Sequence, residues 1–166
     1  MMKRIFMLLA LALMLVASMA LSGVAQAATL KAQCKQQAQS LTGSTLTGYN
    51  IVVGNDNNND FTSKATEGGD VFCGFGGDDS IGILAEGDIF IGGAGKDSVD
   101  DNSSTGTFNG GAGNDSVETF NNGTFNGGDG TDSVTYNYGT FNGGAGDDSV
   151  TYNYGNLSSV EVVGSP

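Results

Sequence analysis

Aspartates 70, 79, 88 and 97 stand nine residues apart without a slip, and a longer phrase then repeats around them. Gly92-Gly93-Ala94-Gly95-Lys96-Asp97-Ser98-Val99 returns as Gly110-Gly111-Ala112-Gly113-Asn114-Asp115-Ser116-Val117, as Gly127-Gly128-Asp129-Gly130-Thr131-Asp132-Ser133-Val134 and as Gly143-Gly144-Ala145-Gly146-Asp147-Asp148-Ser149-Val150. A fainter copy runs from Gly74 to Ile81. The five starts step by 18, 18, 17 and 16 residues, and a short motif carrying a phenylalanine sits halfway between neighbours. The repeating unit is therefore a coil of two strands, and such coils bury their apolar faces by stacking on one another.

The apolar residues sort into two files. One half of each coil contributes Ile81, Val99, Val117, Val134 and Val150, and the other contributes Phe72, Phe90, Phe108, Phe125, Phe141 and finally Leu157. A file of small side chains facing a file of large ones fills a thin interior evenly. The turn glycines permit positive φ and let successive backbones approach to a strand spacing, which repays their entropic cost. Stacking places Asp79, Asp97, Asp115, Asp132 and Asp148 in one column, about 4.8 Å apart. Neighbouring carboxylates at that distance repel by about 0.9 kcal/mol in water and about 3.5 kcal/mol at an effective dielectric of 20. Carboxylate and carbonyl oxygens are the ligands that a hard cation such as Ca²⁺ takes.

The phrase Gly-Gly-x-Gly-x-Asp-x-Val resembles the nonapeptide of the RTX calcium-binding repeats, over about Gly68 to Val150, roughly half of the chain. Four nearly complete copies in register make the resemblance specific. It implies an all-β fold, a right-handed parallel β-roll in which six-residue turns alternate with three-residue strands. It also implies calcium ions held between turns stacked on one edge. Carried onto this chain, the ligands are the carboxylates of Asp79, Asp97, Asp115, Asp132 and Asp148 with turn carbonyls from Gly74, Gly76, Gly92, Ala94, Gly110, Ala112, Gly127, Asp129, Gly143 and Ala145. Five turns leave four gaps, hence about four ions, and a roll with so thin an interior is expected to fold only as calcium binds.

The other edge lacks the double glycine and is expected to be poor in metal. Asp70 and Asp88 there either share one ion or are solvated turn carboxylates. Upstream, Asp56, Asn58, Asp60, Thr62 and Glu67 have the spacing of an EF-hand loop, but Phe61 stands where that loop needs glycine. The better reading is a degenerate first coil in which asparagine and aspartate take the left-handed conformation, with Asp60 capping the column.

The chain opens with Lys3 and Arg4, a long apolar run and the small-residue pattern Ala25-Gln26-Ala27. This reads as a secretory signal peptide over residues 1–27; an uncleaved membrane anchor is the alternative. Without it, four basic residues face eighteen acidic ones, a net charge of −14, and nucleic acid is excluded as a natural partner. An N-terminal signal departs from the RTX pattern, in which export uses a C-terminal one. Leu30, Cys34, Ala38 and Leu41 share one face of a helix that Gly43 stops, within a connector of residues 28–50. Val71, Cys73, Ile89 and Ile91 point outward from the first phenylalanine strands and need a cover. The helix is expected to supply it, with Cys34 and Cys73 either joined in a disulfide or left as two free thiols. The roll proper is assigned to residues 51–157. Leu157 to Val163 reads as a closing strand, within a terminal segment of residues 158–166 whose alternative is a disordered tail.

The chain has no histidine, and no nucleophile motif stands in it, so an enzyme is not expected. The reading is a secreted calcium-binding module without membrane insertion after signal removal, its protein or surface partner unnamed. One alternative is an ice-binding or adhesive face, built from outward files of Thr107, Thr124 and Thr140 and of Asn109, Asn126 and Asn142. Their plainer explanation is strand propensity and asparagine ladders. Tyr136 and Tyr138 recur as Tyr152 and Tyr154, and are expected to stack in pairs as packing rather than as a sugar platform.

Overall fold

The computed structural model describes residues 23–64 and 69–164, and within them the chain winds as a parallel β-solenoid. Most of the predicted signal segment, together with Glu67, Gly68 and the last two residues, lies outside the described residues. One sheet holds seven strands: β1 (Asn50–Val53), β2 (Asp70–Gly76), β4 (Ile89–Ala94), β6 (Thr107–Ala112), β8 (Thr124–Asp129), β10 (Thr140–Ala145) and β12 (Asn156–Ser158). The other holds six: β3 (Ser80–Leu84), β5 (Ser98–Asn102), β7 (Ser116–Asn121), β9 (Ser133–Asn137), β11 (Ser149–Asn153) and β13 (Val162–Val163). The chain alternates between the sheets, so each strand pairs with its counterpart one coil away.

Register follows the sequence period. Phe72, Phe90, Phe108, Phe125 and Phe141 are direct partners down the larger sheet, all fully buried. From Phe90 onward the rings stack with centroids 4.7 to 5.1 Å apart and planes within 8°. Ile81, Val99, Val117, Val134 and Val150 face them from the smaller sheet. Each buried side chain of this size contributes about 1.5–3 kcal/mol of transfer free energy. Leu157 is half-buried against the end of the core.

The first coil forms as expected but without left-handed asparagine or aspartate, since no residue from 55 to 60 has a positive φ, and it has one feature the spacing hid. Asp60 bridges Ser80, which puts Phe61 in line with Ile81 as the first inward residue of the smaller sheet. Its fully buried ring packs 5.6 Å from Phe72 and 5.7 Å from Phe90. The residue that ruled out an EF-hand loop is thus part of the core. At the other end, the segment read as one closing strand is divided. β12 extends the larger sheet and β13 the smaller, with Ser159 in the left-handed region between them (φ 49°).

Helix α1 (Gly23–Thr42) begins ahead of the Ala25-Gln26-Ala27 pattern and ends where Gly43, at φ 64°, donates its N–H to the Gln39 carbonyl. Cys34 and Ala38 are buried from its predicted face, Leu30 is half-buried and Leu41 is 40 % exposed. The helix lies on Val71, Cys73, Ile89 and Ile91, joined there by Leu46. Cys34 and Cys73 form a disulfide with Cα atoms 5.9 Å apart.

Candidate cation column

Asp79, Asp97, Asp115, Asp132 and Asp148 lie in one column, and all five side chains turn inward and are no more than 1 % exposed. The bonds between them are alike. Asp79 N–H donates to Asp97 Oδ1, Asp97 to Asp115, Asp115 to Asp132 and Asp132 to Asp148, at 2.7 to 2.8 Å. The second oxygen, Oδ2, is buried and without a hydrogen-bond partner in every one of the five. An unsatisfied buried carboxylate oxygen is costly, and five in a row define a feature needing compensation. Burial pushes Asp97 and Asp115 up to about 7 and Asp79 and Asp132 to about 6, against the opposing pull of the backbone N–H bond that each accepts. Burial raises Asp148 as well, with Glu161 and Asp147 adding to the shift.

Glycine makes this packing fit. Each Oδ2 presses against the Cα of the glycine five residues earlier: Gly74, Gly92, Gly110, Gly127 and Gly143 would drive a Cβ into it. Gly113, at φ 141°, would drive one into the carbonyl of Gly95 on the coil before. In the fainter copy, Phe75 occupies the place of Gly93 and is held at φ 77°.

The carbonyl ligands expected from the resemblance divide into two groups. The oxygens of Gly92 and Gly143 stand over Gly74 and Gly127, each 2.5 Å from where a Cβ would be, beside the partnerless oxygens of Asp79 and Asp132. Those of Ala112, Asp129 and Ala145 accept ladder bonds from the N–H groups of Gly95, Gly113 and Gly130 at 2.9, 2.7 and 2.7 Å, leaving one lone pair apiece. Gly76 and Ala94 are register partners at the same turn position, and the Ala94 and Asp129 side chains are exposed. Among the described residues no three histidine, cysteine, aspartate or glutamate side chains converge on a point. A cation in the column would take one or two carboxylates and complete its shell from the backbone, as calcium sites do.

The column has different ends from those expected. Asp60 is exposed, its Oδ1 accepting the N–H of Thr62. Asn59 takes the column position instead: its N–H donates to Asp79 Oδ1 at 2.7 Å, and its own Oδ1 accepts the N–H of Asn55 at 2.9 Å. Glu161 stands at the far end, Oε2 accepting the Asp148 N–H at 2.8 Å.

On the opposite edge, Asp70 and Asp88 are fully buried, so the solvated reading does not hold. Asp88 accepts the Asp70 N–H at 2.8 Å on one oxygen and the Ala85 N–H at 3.3 Å on the other. Later coils fill the same edge with asparagine. Asn102 Nδ2 donates to Asn121 Oδ1, Asn121 to Asn137 and Asn137 to Asn153, at 2.7 to 2.8 Å, and the first three also reach a backbone carbonyl on the larger sheet. The recurrence of Asn102, Asn121, Asn137 and Asn153 was the signal for this ladder in the sequence.

Thr107, Thr124 and Thr140 are register partners, as are Asn109, Asn126 and Asn142, forming two half-buried files outside the larger sheet. The tyrosines stack as expected: Tyr136 on Tyr152 at 4.8 Å and Tyr138 on Tyr154 at 4.9 Å, with Phe120 completing the group beyond a bulge in β7. Tyr138 and Tyr154 are exposed, and Tyr136 and Tyr152 are half-buried. Among the described residues no helix is long and apolar enough to cross a membrane. Comparison with protein-family models, curated proteins and solved structures returns no match to this chain.

Proposed function

We propose that this chain is an exported, non-enzymatic calcium-binding roll of the RTX kind, in which the aspartate column takes up Ca²⁺ and the uptake is coupled to folding. The observation that carries the reading is the row of five buried Oδ2 atoms without a partner. Asp79, Asp97, Asp115, Asp132 and Asp148 would hold the ions, aided by turn carbonyls such as those of Gly92 and Gly143. Bound calcium supplies the positive charge and oxygen coordination that the buried carboxylates lack.

The chain's own residues set the terms. Each Asp Oδ1 is already committed to the coil before it, so Oδ2 is the free valence of the column. Without metal, the carboxylates of the folded chain must be protonated or repel one another along the row. The asparagine ladder is largely self-satisfied, because Nδ2 donates where a carboxylate cannot, although Asn102 Oδ1 at its head is buried without a partner. Calcium dependence is thereby confined to one edge. Circular dichroism in chelator and during calcium titration tests this: strand signal should appear with calcium, and Asp115→Ala with Asp132→Ala should weaken the response. Full strand signal in chelator, indifferent to calcium, would overturn the proposal.

A second reading, adhesion or ice binding by the threonine and asparagine files, is favoured only by their regular register. Thermal hysteresis with and without calcium tests it; its absence in the calcium-loaded protein removes the ice-binding form.

A further inference from the structure

We infer that the C-terminal segment builds one more cation position at the end of the column, with Glu161 as the closing carboxylate; the inference rests on the calcium reading above. The column offers five partnerless oxygens, on Asp79, Asp97, Asp115, Asp132 and Asp148, but these residues enclose only four gaps. The oxygen of Asp148 is left over unless something beyond it completes a fifth.

Two features of the segment complete it. Ser149 pairs with Val162, which sets Glu161 in register with Asp148, and Glu161 Oε2 accepts the Asp148 N–H at 2.8 Å. That bond repeats the one by which each aspartate accepts from its predecessor. Ser159 supplies the second feature. A Cβ on Gly143 would run into both Asp148 Oδ2 and the Ser159 carbonyl, just as one on Gly127 would meet Asp132 Oδ2 and the Gly143 carbonyl. The segment thus sets a carbonyl and a carboxylate where a repeat turn would set its own. It does so in thirteen residues from Asp148, against sixteen between Asp132 and Asp148.

The opposite end repeats this geometry without the charge, for a Cβ on Gly54 would meet Asn59 Oδ1 and the Gly74 carbonyl. Asn59 is uncharged, and its Oδ1 is occupied by the Asn55 N–H. The column therefore starts at a neutral amide and finishes at a carboxylate, so the last ion would tie β12 and β13 to the roll.

The test is ion counting on the full chain by native mass spectrometry in calcium, with hydrogen exchange over residues 156–164. Glu161→Gln keeps an acceptor for the Asp148 N–H but removes the charge. It should bind one ion fewer than the parent and lose calcium-induced protection in that segment. Glu161→Asp should keep the full count. An unchanged count and unchanged protection in Glu161→Gln would overturn the inference while leaving the calcium reading intact; a parent that binds no calcium would overturn both. Should Glu161→Gln fail to fold, a Glu161→Asp chain that folds with the full count sustains the position, and one that also fails overturns it.

Discussion

The backbone N–H of Asp97 donates to Asp115 Oδ1 at 2.8 Å, while Asp115 Oδ2, equally buried, has no partner. One half of each carboxylate holds the coils together and the other half is left in need. The behaviour expected of the protein follows from that division.

In the absence of calcium, stability should fall as pH rises. Asp97 and Asp115 titrate at about 7 in the fold, against an ordinary value of 3.8, because burial disfavours their charged form. Between those values the folded chain holds more protons than the unfolded one, so its stability drops with increasing pH. The contribution is fully present below about 4 and is lost as pH passes through 7. In chelator the strand signal should be greater at pH 5 than at pH 8, and calcium should reverse the order. Equal values in chelator would contradict the assignment.

Replacing one carboxylate by its amide should separate stability from metal binding. In Asp132→Asn, an Nδ2 donor at the place of Oδ2 would lie beside the Gly143 carbonyl. In chelator at neutral pH its strand signal should exceed the parent's, reflecting a gain of about 1–3 kcal/mol, the scale of relieving an unsatisfied buried group. Calcium binding should weaken in the same variant. A loss of stability in chelator would show that the orphaned oxygen is already compensated.

How far the sequence displayed this architecture depended on the constancy of the step. The Phe72 to Phe141 and Ile81 to Val150 files were legible because each coil repeats within 16 to 18 residues. Asn59 was not, since it precedes Asp79 by 20 residues and is not an acid. Phe61 was read only as a misfit in a metal loop, because its β-branched successors disguised the file it begins. Glu161 escaped notice for want of a glycine turn, and the asparagine ladder because asparagine at a coil edge also suits turns. The burial of the aspartates was least visible, since spacing places them in a column but does not say which way they face.

Gly113→Ala should be among the costly substitutions. At φ 141° any side chain is strained, and the new Cβ would overlap the Gly95 carbonyl, which is backbone and cannot step aside. A loss of at least about 2 kcal/mol is expected. Gly43→Ala, at φ 64° with nothing within 4 Å, should cost only about 1 kcal/mol. Denaturant unfolding of the two in calcium provides the comparison; similar values would mean the turns yield more readily than their packing suggests.

The disulfide should stabilise the first coils selectively. Closing a separation of 39 residues contributes about 4 kcal/mol in the loop-entropy view. Cys34→Ser with Cys73→Ser should expose Val71, Ile89 and Ile91 and increase exchange in β2 and β4, while β8 and β10 stay protected. Uniform loosening would show that the helix supports the whole roll.

Calorimetric titration of the metal-free protein with calcium at neutral pH bears most directly on the column. Binding of about four or five ions per chain is expected, with the heat of folding accompanying it. No binding at about 1 mM calcium, the range in which extracellular calcium modules work, would contradict the account.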